Sequence, residues 1–159
     1  MFVSALASLL VLSSCVFKNP FEASAGFPVD QDLLGRWEST SDGDKERMLV
    51  LQHSANEFTV QYPVGEDALF FRAYWVELEG GRYIQAQLIG SAKGPVKAEE
   101  RKFHLLKIKQ SGDTLEMRTI DPEVLGAKEG DTAALRAAFA KHHDDPKLFQ
   151  DPGTFKRIK

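Results

Sequence analysis

Cys15 is the only cysteine in 159 residues, so its thiol has no internal disulfide partner and calls for an intermolecular partner or a covalent modification. The histidines are His53, His104, His142 and His143. Only the stretch "KHHDDP", residues 141–146, crowds imidazoles with carboxylates. Adjacent helical residues point roughly 100° apart, so His142 and His143 cannot easily share one ion while helical. That composition fits better the last turn of a helix, where cationic side chains meet the negative end of the dipole. Nucleophilic chemistry finds no support either. No Gly-x-Ser-x-Gly elbow occurs, and "GSAKGP" (90–95) has glycines without the spacing of a phosphate loop. The expectation is a protein without catalytic residues, metal or cofactor.

The neighbourhood of Cys15 supplies a use for the thiol. From Phe2 to Leu12 the chain is apolar or small and uncharged, which is the length of a signal-peptide core and too short for a membrane-spanning helix. Leu12-Ser13-Ser14-Cys15 resembles the lipobox of bacterial lipoproteins, in which a bulky residue and two small ones precede the cysteine that becomes the lipidated N-terminus. The resemblance implies a signal peptide over 1–14, lipid attachment at Cys15, and an exported protein anchored to a bacterial membrane through that lipid. Val16 stands where that family's sorting rule would read an Asp, which implies the outer membrane in a Gram-negative host. Each buried methylene contributes about 0.8 kcal/mol, so two or more acyl chains hold a soluble domain on a bilayer.

Past the cysteine, "VFKNPFEASAGFPVDQ" (16–31) has the Pro, Gly, Ala and Ser content of a tether. It also carries Phe17, Phe21 and Phe27. Either these rings touch the membrane or the domain nonspecifically, or the segment folds back and plugs an apolar opening. Residues 32–159 then form the single domain, long enough to bury a core. The formal net charge is -3, with both signs interspersed and no basic stripe, so nucleic acid is not an expected partner.

Turn clusters at "SDGD" (41–44), "SAN" (54–56), "PVGED" (63–67), "GG" (80–81) and "SGD" (111–113) punctuate the domain regularly and predict an all-β meander. The expected strands cover 35–40, 47–53, 57–62, 68–78, 82–89, 102–110, 114–120 and 154–158. Period-two alternation assigns faces: Phe58, Val60 and Tyr62 oppose Glu57, Thr59 and Gln61; Ile84, Ala86 and Leu88 oppose Gln85 and Gln87; Leu115, Met117 and Thr119 oppose Glu116 and Arg118. "LFFRAYWVEL" (69–78) is apolar on both faces and predicts a bulge, a bend or a covering helix. "GSAKGPVKAEE" (90–100) is the one long connection before residue 120. Asp131 can cap a helix whose Leu135, Ala138 and Phe139 share a stripe and which ends near His143. The strand after that helix is free to pair with the first and close a barrel.

The stretch "LLGRWEST" resembles the Gly-x-Trp motif of lipocalin-like proteins, with Gly35 and Trp37 at the start of the first strand. The resemblance implies an eight-stranded antiparallel meander barrel with one C-terminal helix before the last short strand. It also implies that Trp37 closes one end beneath an arginine of a late strand, for which Arg157 is the positional candidate and Arg118 the second. What remains for function is binding. A small apolar ligand would be lined by inward residues, for which the candidates are Phe58, Val60, Tyr62, Phe71, Ile84, Ala86, Leu88, Leu115 and Met117. The other reading is a protein-binding envelope module, an assembly accessory or an inhibitor of a lytic enzyme, acting through its loops around a filled barrel.

Overall fold

The computed structural model describes residues 16–150 and 152–159; Cys15 and residues 1–14, where a signal peptide is expected, lie outside the described residues. Among the described residues nine strands form: β1 (Gly35–Ser39), β2 (Arg47–Gln52), β3 (Phe58–Gln61), β4 (Leu69–Leu78), β5 (Gly81–Ser91), β6 (Gly94–Pro95), β7 (Phe103–Ser111), β8 (Thr114–Thr119) and β9 (Gly153–Ile158). Eight of them close an antiparallel ring. β1 to β5 pair in succession, β5 pairs with β7, β7 with β8, and β8 with β9, which returns to β1. The eight-stranded meander barrel expected from the turn spacing is the fold. The ninth strand is the two-residue β6, bonded to the end of β5 outside the ring. The stretch 90–100 is therefore a hairpin plus a short 3-10 turn (Ala98–Glu100), not an open loop.

Among the described residues two α-helices precede β9. α1 (Pro122–Leu125) was absent from the expected elements, although its punctuation is complete: Asp121 accepts from the Glu123 amide, Pro122 fills the first turn, and Gly126 ends it at φ 78°. α2 (Thr132–His142) starts where Asp131 accepts from the Ala134 amide and is capped at its other end by His143. Among the described residues no helix is long and apolar enough to cross a membrane.

Residues facing into the ring form one apolar cluster, built on Trp37, Met48, Val50, Phe58, Phe71, Ile84, Leu115 and Phe155. A second cluster lies on the outside of the wall made by β4, β5 and β7. There Tyr74, Val76, Leu78 and Leu105 meet Leu125, Leu135, Phe139 and Leu148, together with Phe17 and Phe21. This explains why β4 is apolar on both faces: odd positions fill the barrel and even ones are roofed by α2 and the N-terminal segment. A register shift between Phe70 and Phe71 adds the bulge.

The segment 16–31, expected to be a tether, is instead part of the folded body. Phe17 and Phe21 are fully buried and touch edge to face, with centroids 5.1 Å apart. They neither lie loose nor plug the barrel, because both sit outside its wall. The polar face of β5 is corrected with them: Gln85, expected to face solvent, is fully buried beneath this strap.

Candidate functional site

One end of the barrel is closed by the strap's last turn. The 3-10 turn Gln31–Leu33, capped by Asp30, seats Leu33 under the ring. Trp37 is fully buried, its indole N–H donating to the Leu33 carbonyl at 3.0 Å. The Arg157 guanidinium lies 4.3 Å from the centre of the Trp37 ring and donates to the carbonyls of Leu34 and Asp32 and to the Asp113 carboxylate. A flat cation with five donors can stack and bridge three acceptors at once, which a lysine cannot. Gly35 allows this closeness. Its φ is 123°, and a Cβ there would stand 2.9 Å from the Arg157 guanidinium. Arg118 takes no part in the closure; it pairs with Glu116 on the outer wall.

Between this floor and the opposite end lies a cavity of about 330 Å³. Its walls alternate with the strand pleat, so each strand contributes residues two apart. Phe58, Val60, Tyr62, Phe71, Ile84, Ala86, Leu115 and Met117 all line it. Leu88 does not: opposite Phe71 beside the bulge, it packs against the interior cluster without reaching the cavity wall. Met48, Val50, Ala73, His104, Leu106, Ile108, Thr119 and Phe155 complete most of the lining. The signal for the β7 residues was present as alternation in "FHLLKIK", where His104, Leu106 and Ile108 share the inner face while Leu105 faces the outer cluster.

Polar groups at the cavity are few. The Tyr62 hydroxyl donates to the Glu46 carboxylate at the open end, and burial followed by that carboxylate pushes the phenol well above its ordinary range, so it remains a neutral donor. His104 is buried, with its ring edge-on to Phe71 at 5.8 Å. Thr119 adds a hydroxyl. At "KHHDDP", His143 Nδ1 stands 2.9 Å from the Ala140 carbonyl and Nε2 is 3.4 Å from the Asp144 carboxylate. Among the described residues no group of three or more His, Asp or Glu side chains is arranged to hold a metal ion. What the cavity can do chemically is remove apolar surface from water.

Comparison with family models, with curated proteins and with solved structures finds no match for this chain.

Proposed function

We propose that this chain is an envelope lipoprotein, tethered to a bacterial membrane through lipid on Cys15, that holds a small apolar ligand inside its barrel. The observation that carries the ligand reading is the 330 Å³ cavity with an almost wholly apolar lining. It falls at the small end of the range for ligand pockets, with space equal to roughly eleven waters at their share of liquid volume. Unfilled apolar space of that size forgoes packing worth on the order of several kcal/mol, and water finds few partners there. An apolar guest recovers that loss. The lipobox resemblance at Leu12–Cys15 supports the anchor.

Two experiments test the reading. A chain beginning at Val16 keeps every strand and both apolar clusters; it is titrated with an environment-sensitive apolar fluorophore. Saturable binding is expected, and Ala86→Phe or Ala73→Phe, each placing a ring in the cavity, should abolish it while the far-ultraviolet spectrum stays unchanged. Equal affinity in parent and both variants would overturn the interior site, and no binding by any of them would favour a loop-mediated protein partner. For the anchor, Cys15→Ala in the full chain should block acyl labelling and release the protein from the membrane fraction. Unaltered labelling and fractionation would contradict it.

A further inference from the structure

The strap runs down the outside of the barrel from one end to the other. Phe17 begins it at the start of β7, exchanging two backbone hydrogen bonds with Phe103 at 2.8 and 2.9 Å. Phe21 and Glu22 are gripped halfway down by Gln85. The Ala25 carbonyl accepts from Asn56, and the Val29 amide donates to Ala55, at the β2–β3 turn of the closed end. The chain thus enters at the open end of the barrel. Val16, the first described residue, leads into Phe17 at that end, and Cys15 is its neighbour in the sequence. A lipid at Cys15 therefore brings the open end, not the Trp37 floor, against the bilayer.

The rim at that place is positively charged in a chain whose net charge is -3. Lys18, Lys93, Lys97 and Lys102 are exposed, and Arg101 stands among them; Glu99 and Glu100 are the acidic residues on the same excursion. None of these five cations forms an ion pair with a described residue. Across the mouth, the connection 40–46 carries Asp42, Asp44 and Glu46 against Lys45 alone, while 62–68, bonded to the excursion through the Ala92 N–H and the Ala68 carbonyl at 2.9 Å, adds Glu66 and Asp67. The cations gather on the side of the opening where the strap begins, because Phe17 pairs with Phe103 beside Lys18 and Lys102.

We propose that the rim formed by residues 91–102 together with Lys18 is a docking surface for anionic lipid headgroups, so that the barrel opens toward the membrane carrying its anchor. The proposal rests on reading Cys15 as the lipid-bearing residue. Each Lys or Arg at an anionic surface contributes about 1 kcal/mol, or about fivefold in binding. The ligand of the cavity then exchanges with the bilayer through the mouth, without crossing water.

The test uses the unlipidated chain beginning at Val16 and vesicles of equal parts phosphatidylcholine and phosphatidylglycerol, with pure phosphatidylcholine beside them. Cosedimentation with the mixed vesicles alone is expected at low salt. Lys93→Gln combined with Lys97→Gln should weaken it about twenty-five-fold, while Lys109→Gln, on the outer wall of β7, leaves it unchanged. Equal binding to both vesicle types, parent-like binding by the double variant, or an equal loss in Lys109→Gln would overturn the proposal. Acyl labelling of Cys15 in the full chain is read separately, so a failed rim and a failed anchor give different results.

Discussion

The side-chain amide of Gln85 is hydrogen-bonded to the backbone of Glu22 on both sides, accepting from its N–H at 3.2 Å and donating to its carbonyl at 2.8 Å. The same amide accepts from the Phe21 N–H at 2.6 Å and reaches the Tyr74 hydroxyl, which itself donates to the Glu22 carbonyl at 2.8 Å. Midway along a strap without a strand of its own, one buried side chain satisfies the Phe21 N–H and both backbone groups of Glu22.

Replacing Gln85 by Leu keeps the volume and removes the partners. Phe21 N–H is left buried with no acceptor, and an unsatisfied buried group costs about 1–3 kcal/mol. Gln85→Leu should lower stability by roughly 3 kcal/mol in urea denaturation and expose the 16–30 backbone to limited proteolysis. A midpoint that does not move would mean the strap is held by its rings alone.

The strap is structural, so deleting residues 16–27 should unfold the protein. Truncating a buried Phe to Ala costs about 3–5 kcal/mol, and the deletion removes two such rings from a domain whose total stability is of the order of 5–15 kcal/mol. Phe17→Ala and Phe21→Ala singly should remain folded with clearly reduced midpoints. Phe27→Ala should cost less, because that ring is only half-buried and its cation partner is Arg82, at 4.7 Å.

Trp37 and Arg157 should couple. Trp37→Ala should cost about 3–5 kcal/mol. Arg157→Lys keeps the charge but loses the fork that bridges Leu34, Asp32 and Asp113. A double-mutant cycle should return a coupling of about 1 kcal/mol or more for the stacked pair. Strict additivity of the two losses would show that the arginine works through the backbone carbonyls alone.

Acid should weaken one cross-strand pair. Arg72 hydrogen-bonds the Glu57 carboxylate and holds it below its ordinary value of 4.5, against a smaller opposing effect of burial. A folded-state value below the unfolded one means the stabilisation is present above about pH 4.5 and is lost as the pH falls through the lowered value. The pair is partly exposed, so its contribution is about 1 kcal/mol or less. Arg72→Gln should therefore differ from the parent at neutral pH and converge with it in acid, measured by denaturation midpoints across that range.

The alternation along Phe58–Tyr62, Ile84–Leu88 and Leu115–Met117, with Gly- and Asp-containing turns between, determined the eight strands of the ring and their inner face by itself; the two-residue β6 was not among them. Local sterics and the two-residue repeat fix these, and neither depends on distant residues. The pairing of β9 with β1 was legible because a strand that follows a helix and not a tight turn is free to reach the open edge of the first strand. The strap was not legible. Phe17 and Phe21 lie in a stretch with no period, and what buries them comes from Phe103, Leu135 and Phe139, more than eighty residues away in the chain. Gln85 shows the same limit from the other side: its place in the alternation determined that it points out of the barrel, and that direction is correct. Whether "out" means water or a second core depends on what the rest of the chain lays over the wall, and only the tertiary structure decides that. The cavity is decided there too, because its volume is the small difference between the ring's circumference and the side chains that fill it, and no residue carries that difference in its own sequence context.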